Sequence, residues 1–162
     1  MTKSIMIFGA GINQLELIRE GKKLGLVTVA IDPSNDPPGK KEADYFYQIN
    51  GDDYKFTKAI AIKHNVKGII TGQMEKPLRL MSKLAKEMGY IFNKTEVIEA
   101  TLDKDFMKKI FIDNDIPCAK YVTFDRNQHI TKQKIDRLSF PLILKPADTF
   151  SSRAVKKIKN FQ

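Results

Sequence analysis

The sequence has very little of the residues that build disulfides or metal sites. It contains one cysteine, two histidines and no tryptophan. Because Cys118 has no second thiol to pair with, an internal disulfide is excluded, and a reducing, cytoplasmic compartment fits this usage best. His64 and His129 have no metal-ligand spacing. The sequence therefore predicts no zinc site and no nucleophilic catalytic triad.

A long apolar run is also absent. No segment approaches the roughly 20 apolar residues that a membrane-spanning helix needs. The N-terminal stretch MTKSIMIFGAG ends in a glycine turn and lacks the cleavage pattern of a signal peptide. We therefore expect no membrane partner, and we interpret this stretch as a first buried strand.

The chain is basic, with 162 residues, a formal charge of +9, 42% hydrophobic residues and 29% charged residues. This hydrophobic content is enough for a core that needs no disulfide or metal. The lysines are spread along helix-like segments, without an arginine-rich arm or interleaved aromatic residues. A nucleic-acid partner is therefore disfavoured, and a lysine-rich solvated surface is the simpler interpretation.

Apolar strands and amphipathic helices alternate over residues 1–92. Strands are predicted at residues 5–8, 27–31, 45–49, 67–71 and 90–92. Helices are predicted at residues 12–24, 51–65 and 76–88, with Gly51, Asp52 and Asp53 at the start of the second. This alternation predicts an α/β fold, a Rossmann-like parallel sheet with helices on both faces. Its strands would end at Gly9, Asp32 and Thr71 on one crevice.

The pattern changes after residue 92. Helices are predicted at residues 95–102, 103–114 and 131–138, and strands at residues 121–124, 142–145 and 154–158. So few strands with so little helix indicate an incomplete small α+β lobe. We therefore predict two domains, residues 1–92 and residues 93–162.

The stretch GAGINQ, together with Asp32, is similar to half of a dinucleotide-binding fingerprint. Gln14 stands where the third glycine of that fingerprint would be. We favour a simpler interpretation, in which Gly9 and Gly11 permit a tight strand-to-helix turn and Asp32 ends a strand.

Two lysines stand at defined structural points. Lys104 lies in the first turn of a predicted helix within LDKDFMKKIFIDNDIPCAKY, and Lys145 ends the predicted strand of FPLILKPADTFSSRAV. The loop after Lys145 is rich in small and hydroxylated residues, and such a loop presents backbone N–H groups to a phosphate. We predict that Lys104 and Lys145 close on one phosphate chain.

These two segments resemble parts of the ATP-grasp superfamily, the first its Asp-Lys helix and the second its Lys-Pro strand with the flexible phosphate loop. The N-terminal segment IMIFGAGINQLELIREGKKLGLVTVAIDPSNDPPGKKEADYFYQIN is similar to the PreATP-grasp domain that precedes the ATP-grasp module. Its matching features are Gly9, Gly11, Asp32 and the Ala-Asp-Tyr-Phe stretch at residues 43–46. The resemblance covers essentially the whole chain and is strongest to carbamoyl-phosphate-synthase-like proteins.

The resemblance implies the N-terminal portion of an ATP-dependent carboxylate–amine or carboxylate–thiol ligase, of the carbon–nitrogen bond-forming class, that acts through an acylphosphate. It implies a PreATP-grasp domain at residues 1–92 and the start of an ATP-grasp domain at residues 93–162. The implied nucleotide-binding residues are Lys104, Lys145, Asp148, Ser151, Ser152 and Arg153. The implied substrate-binding residues are Gly9, Gly11 and Asp32, and no residue receives a catalytic or metal-binding role.

Two features depart from the ATP-grasp pattern. Relatives carry glycine about where Phe150 and Ala154 stand, and residues with a side chain disfavour positive φ. The Mg²⁺-binding and adenine-binding residues of the superfamily come from a C-terminal half that has no counterpart after Lys145. We therefore expect a chain that is cut short and inactive alone. ATP and Mg²⁺ would be cofactors of the full-length enzyme, with none bound by this chain.

The partners that this interpretation implies are the missing C-terminal half and a small carboxylate substrate, with a homodimer left open. One alternative is a non-catalytic ligand-binding or assembly domain that uses the Rossmann-like crevice. Another is a fragment of a nucleotide-sugar-binding or dinucleotide-binding oxidoreductase, which the missing third glycine and the lysine pair disfavour. A neighbouring gene that encodes the metal-binding half would support the ligase.

Overall fold

The computed structural model describes residues 2–50, 52–125 and 127–161. The chain divides into two compact units, Met1–Ile98 and Glu99–Gln162. The assignment of residues 1–92 to a PreATP-grasp domain and of residues 93–162 to the start of an ATP-grasp domain stays a prediction.

A four-stranded parallel sheet forms the centre of the first unit. Its order is β3-β2-β1-β4, and the strands are β1 (Ser4–Phe8), β2 (Val27–Asp32), β3 (Tyr45–Gln48) and β4 (Val66–Thr71). Phe8 lies opposite Ile31 on one side and Thr71 on the other. The carboxyl ends of the strands therefore meet at one edge, which confirms the predicted α/β fold and its crevice.

Helices cover both faces of this sheet. They are α1 (Leu15–Lys23), α2 (Tyr54–Lys63) and α3 (Leu78–Met88), and short 3₁₀ turns occupy Ile12–Gln14 and Pro38–Lys41. Ile18 of α1 packs with Ile7 and Ala30 on one face. Residues of α2 and α3, including Ile60 and Leu84, pack with the side chains that β1 directs to the other face. A fully buried side chain of the size of Ile18 or Leu84 contributes about 1.5–3 kcal/mol.

Local signals explain where these helices begin and end. The carboxylate of Asp53 accepts a 3.2 Å hydrogen bond from the backbone N–H of Phe56, which caps α2. Gly25 follows α1 with φ +72°, and Gly89 caps α3 with φ +71°. This left-handed conformation favours glycine. Gly51, which we placed at the start of α2, lies outside the described residues.

The second unit contains short elements. The helix α4 (Thr95–Leu102) spans the boundary between the units, and then come α5 (Lys104–Asp113) and α6 (Lys132–Ile135). Asp103 caps α5 by accepting hydrogen bonds from the backbone N–H groups of Asp105 and Phe106, at 2.8 and 2.9 Å. The strands β5 (Leu142–Leu144) and β6 (Lys156–Ile158) form an antiparallel pair.

Two predicted strands are wrong. Residues 90–92 belong to no β-ladder, although Tyr90 and Phe92 pack against the core while Ile91 is 99% exposed. Their alternation of buried and exposed side chains imitates a strand, but the sheet ends at β4 on that side. Residues 121–124 also join no ladder, because no described segment pairs with their backbone.

The described part of the second unit has little core of its own. Its buried apolar side chains are those of Leu102 and Ile135. Ile143 is 59% exposed, although it lies in the middle of β5. A small lobe with exposed strand residues of this kind agrees with the predicted incomplete α+β lobe.

Candidate functional site

Lys104 lies at the start of α5 and is tied to the loop that follows β5. Its ammonium group donates hydrogen bonds to the carbonyl oxygens of Ala147, at 3.2 Å, and Thr149, at 2.5 Å. Its backbone N–H also donates to Ala147, at 3.1 Å, and its Nζ lies 5.5 Å from the centre of the Phe150 ring. The cation is therefore held by carbonyl dipoles at the point where we predicted a phosphate.

Lys145 follows β5 directly and lies close to the same loop in sequence. Its side chain is exposed, and it makes no hydrogen bond or ion pair within residues 2–50, 52–125 and 127–161. Lys104 and Lys145 both line a cavity of about 980 Å³ in the second unit. The structure thus places the two lysines that we singled out on the wall of one cavity.

The loop residues predicted to contact the nucleotide are all exposed. Asp148, Ser151, Ser152 and Arg153 present their side chains to solvent. Beyond the contacts with Lys104, the loop is held by long hydrogen bonds: from the Thr149 hydroxyl to the Arg153 carbonyl oxygen, at 3.4 Å, and from the backbone N–H groups of Arg153 and Val155, at 3.3 and 3.4 Å. An exposed loop with few internal bonds leaves its polar groups available to a ligand.

The backbone of this loop corrects one expectation. Ala154 has φ +56°, and Ser151 and Ser152 have φ +57° and +56°. We expected the absence of glycine to keep Ala154 out of the left-handed region, and that expectation is wrong. Phe150, the other position in question, is not among the described residues with positive φ. The loop therefore takes up a turn that favours glycine without containing one.

The crevice of the first unit is built by Gly9, Gly11 and Asp32, which the structure brings together. One carboxylate oxygen of Asp32 accepts the backbone N–H of Ala10, at 2.8 Å, and the other accepts that of Ser34, also at 2.8 Å. Gly9 donates its own N–H to the carbonyl oxygen of Ile31, at 2.8 Å. Asp32 therefore fixes the turn after β1, and its two oxygens already accept protein donors.

Gly9 has no room for a side chain. Its φ is +91°, and a Cβ atom there would lie 2.5 Å from the sulfur of Met74 and 3.1 Å from the side chain of Gln14. Gln14 is buried and donates its amide to the carbonyl oxygen of Gly72. The residue that replaces the third glycine of the dinucleotide fingerprint therefore bridges the turn after β1 to the turn after β4.

Our sequence reasoning gave no role to Asp44, although the Ala-Asp-Tyr-Phe stretch at residues 43–46 contains it. Its carboxylate accepts the backbone N–H and the hydroxyl of Thr28, both at 2.8 Å, and lies 3.1 Å from Lys22. Burial opposes ionisation of Asp44, but the hydrogen bonds from Thr28 and Lys22 outweigh it and hold the pKa below its usual range. Asp44 therefore fastens β3 to β2.

The described residues do not form a metal site. Within them, no group of three or more histidine, cysteine, aspartate or glutamate side chains is placed to hold a metal ion. Mg²⁺ needs several oxygen ligands, so the residues present do not fit it, and we derive no chemical step through a metal. None of the helices in the described part of the chain is both long and apolar enough to cross a membrane.

Comparison with known proteins gives relatives along nearly the whole chain. No known family model matches it. The formate-dependent phosphoribosylglycinamide formyltransferase of Prochlorococcus marinus (strain MIT 9312) is 29% identical over 153 residues, which are 93% of this chain and 39% of the relative. The chain thus spans about two fifths of the length of this curated relative.

Solved structures share the fold. N5-carboxyaminoimidazole ribonucleotide synthetase from Thermotoga maritima superposes with a TM-score of 0.77 at 23% identity, over 99% of this chain and 42% of that protein. The N5-carboxyaminoimidazole synthetase of Staphylococcus aureus, complexed with ADP, superposes with a TM-score of 0.78 at 22% identity, over 99% of this chain and 43% of that protein. At these identities the likeness concerns the fold.

The fold defines a class of protein in which a unit with a four-stranded parallel sheet is followed by a smaller unit with an antiparallel pair of strands. The relatives that the chain matches are ATP-grasp enzymes, and the match covers the N-terminal two fifths or so of their length. Homologues in this superfamily use ATP.

Proposed function

We propose that this chain contributes the N-terminal portion of a ligase that uses ATP to join a carboxylate to an amine or a thiol. The observation that carries the proposal is the placement of Lys104 and Lys145 on the wall of one cavity. The same cavity is lined by Pro146 and Ala147, which begin the phosphate loop of the resemblance.

The two lysines would act on the phosphate groups of bound ATP. Lys145 has no anionic partner among the described residues, and Lys104 contacts carbonyl oxygens that a phosphate oxygen can replace as hydrogen-bond acceptors. Two cations in a site that excludes water stabilise a transferring phosphoryl group. When bound, ATP supplies the phosphoryl group that converts the carboxylate into an acylphosphate, with release of ADP.

The exposed loop would close over the phosphates. Ser151 and Ser152 offer hydroxyl and backbone donors, and Arg153 offers a guanidinium group that binds phosphate oxygens in pairs. Asp148 is an acceptor at the base of the loop and would hold it through hydrogen bonds in the closed form. We assign all four residues to nucleotide binding.

The crevice of the first unit would hold part of the acceptor substrate. Gly11 is half-buried and follows the turn that Asp32 fixes. Because both oxygens of Asp32 accept backbone donors, we assign Asp32 to shaping the crevice, and Gly9 and Gly11 to its floor. We also propose that the Mg²⁺ ligands come from a metal-binding half outside this chain, since Mg²⁺ does not fit the described residues. The ligase would work in the cytoplasm.

A fusion protein tests the proposal. The matched 153 residues of the Prochlorococcus formyltransferase are replaced by this chain, and ATP binding and ADP release are measured with a panel of carboxylates. We expect the fusion to bind ATP, and Lys104→Ala and Lys145→Ala each to lower phosphoryl transfer by about 10²–10³.

Lys132→Ala is the matched control. Lys132 lies in the same unit but does not line the cavity, so its replacement should change the rate less than twofold. The proposed function would be wrong if the fusion folds but does not bind ATP. It would also be wrong if neither Lys104→Ala nor Lys145→Ala lowers the rate of phosphoryl transfer.

A further inference from the structure

Gln14 lies between two turns at the crevice of the first unit. It ends the 3₁₀ turn before α1 and is 4% exposed. Its side-chain Nε2 donates a hydrogen bond to the carbonyl oxygen of Gly72, in the turn after β4. A carbonyl oxygen accepts hydrogen bonds and does not donate them. The amide group of Gln14 therefore has one orientation, with Nε2 on Gly72 and Oε1 turned away from it.

The Oε1 atom of Gln14 is directed at the turn after β1. It lies 3.2 Å from the position that a Cβ atom would take on Gly9, and 3.2 Å from that position on Gly11. It accepts no hydrogen bond from residues 2–50, 52–125 and 127–161. Unlike Oδ1 of Asp105, which is buried without a partner, Oε1 keeps contact with solvent. The floor of the crevice thus carries a fixed acceptor that has no donor.

Gln14 fills a space that other folds of this kind leave to a phosphate. In dinucleotide-binding folds, small residues in the turn after the first strand let backbone N–H groups approach a pyrophosphate. Here a side-chain oxygen with a partial negative charge lies beside Gly9 and Gly11 instead. An anion placed there would meet this oxygen and not a donor. Gln14 therefore closes the turn after β1 to phosphate.

The charges around the crevice also disfavour an anion. The turns after β1, β2 and β4 contain three acidic residues and no lysine or arginine; they are residues 9–14, 32–36 and 72–75. Lys40 reaches the second turn, but its ammonium group donates to the carbonyl oxygen of Asn35, at 2.6 Å, and lies 3.9 Å from Asp36. Lys76, which follows the third turn, lies 3.5 Å from Asp52. Both of these lysines therefore already have acceptors, and a phosphate would have to displace them.

We infer that Gln14 determines which ligand group the floor of the crevice accepts. It excludes phosphate, and it admits a group that donates an N–H or O–H hydrogen bond to Oε1. This inference rests on the proposed function, in which the crevice holds part of the acceptor substrate. It goes further by giving the chemistry of the group that faces Gly9 and Gly11: a hydrogen-bond donor, in contrast to the anion expected at Lys104 and Lys145.

NMR titrations of the isolated chain test this selection without ATP. The probes are pyrophosphate, ethylammonium and ethanol, at matched ionic strength, which supply an anion, an N–H donor and an O–H donor. We expect ethylammonium or ethanol to shift the side-chain NH₂ signals of Gln14 and the amide signals of Gly9 and Gly11, and the comparison of the two shows which donor fits. Pyrophosphate should leave these signals unchanged. A pyrophosphate shift at these three residues, or no shift with either donor, would overturn the inference.

Two substitutions of Gln14 have opposite expected effects. Gln14→Gly removes Oε1 and supplies the third glycine of the fingerprint, so pyrophosphate should now shift Gly9 and Gly11. Gln14→Met keeps the length of the side chain without the acceptor, so the dissociation constant of the donor should rise about fivefold to tenfold. Gln133→Met, at an exposed glutamine of α6, is the matched control and should titrate like the parent.

The variants can also contradict the inference. It is wrong if Gln14→Gly stays indifferent to pyrophosphate, or if Gln14→Met binds the donor as tightly as the parent does. Amide signals of β1 and β4 show whether each variant is folded. The titration of the parent decides the question if a variant is not.

Signals elsewhere in the chain keep this inference apart from the proposed function. Pyrophosphate shifts at residues 145–153 report the proposed phosphate site independently of Gly9 and Gly11. In the fusion, Gln14→Met should raise KM for the acceptor substrate about fivefold to tenfold and leave kcat and KM for ATP within about twofold. Equal KM values for the acceptor in a fusion that binds ATP would overturn this inference alone. Donor shifts at Gly9 and Gly11 in the isolated chain, with a fusion that does not bind ATP, would support it while the proposed function fails.

Discussion

The ammonium group of Lys104 donates a 2.5 Å hydrogen bond to the carbonyl oxygen of Thr149, which lies 45 residues further along the chain. With the bonds to Ala147, this contact joins the first turn of α5 to the loop after β5. A carbonyl dipole is a weaker acceptor for a cation than a phosphate oxygen. The contact therefore positions the lysine, and under the proposed function a nucleotide phosphate would replace the carbonyl oxygens.

Removal of this contact should loosen the loop. Lys104→Met keeps the length and apolar stem of the side chain but loses the donors that hold Ala147 and Thr149. We expect the backbone amide order parameters of residues 149–153 to fall, measured by NMR relaxation on the isolated chain. Lys132→Met is the control and should leave them unchanged. Equal order parameters in parent and Lys104→Met would show that the contact does not hold the loop.

Glycine should relieve the backbone strain at position 154. A side chain in the left-handed region costs about 1 kcal/mol or more relative to glycine, and Ala154 has φ +56°. Ala154→Gly should therefore stabilise the second unit by about 0.5–1 kcal/mol, even though glycine gains entropy in the unfolded chain. Urea unfolding followed by NMR signals of residues 99–162 measures the change. Ala119→Gly, where φ is not positive, should destabilise the second unit by a few tenths of a kcal/mol. If both substitutions stabilise the unit, or both destabilise it, the prediction is contradicted.

The parallel sheet could be predicted because its signals are local and repeated. Each buried strand is followed by a helix with a recognisable start or end, such as the cap at Asp53 or the glycine at Gly25. The strand at residues 90–92 was predicted wrongly, since Tyr90 and Phe92 alternate with Ile91 as in a strand. A strand also needs a neighbouring strand with a free edge to pair with. The sequence of one short segment does not show whether it lies beside such an edge.

The candidate site was predictable only in part. Lys104 and Lys145 were identified from their positions in two motifs, and the structure places both on one cavity. The carbonyl partners of Lys104 could not be predicted, because they come from backbone groups more than forty residues away. The unpaired oxygen of Asp105 was also missed, since an aspartate in the first turn of a helix is ordinary in sequence.

Asp32 should prove to be structural. The carboxylate of Asp32 accepts hydrogen bonds from the backbone N–H groups of Ala10 and Ser34. In Asp32→Asn, the NH₂ group faces one of these two N–H donors, so that hydrogen bond is lost. Hydrogen bonds to a charged group contribute about 1.5–3 kcal/mol, so the first unit should lose about 1–3 kcal/mol in urea unfolding. Asp36→Asn, whose carboxylate is exposed and lies 3.9 Å from Lys40, should change stability by less than about 0.5 kcal/mol. A similarly small loss of stability in Asp32→Asn would show that Asp32 does not hold the backbone of the crevice in place.

Asp44 should make the stability of the first unit depend on pH in the acidic range. Burial opposes its ionisation, but hydrogen bonds from Thr28 and Lys22 hold its folded-state pKa below the unfolded value of about 3.9. The unfolded chain therefore binds this proton more readily, and the contribution of Asp44, complete well above pH 3.9, is lost as pH falls through the unfolded and then the folded pKa. Asp44→Asn lacks this group, so the stability difference between parent and variant should be constant from pH 7 to about pH 5 and shrink toward pH 3. Urea unfolding at each pH measures it, with Asp36→Asn as the reference for an exposed carboxylate. A difference that is constant down to pH 3 would show that the ionised carboxylate of Asp44 does not stabilise the contact between β2 and β3.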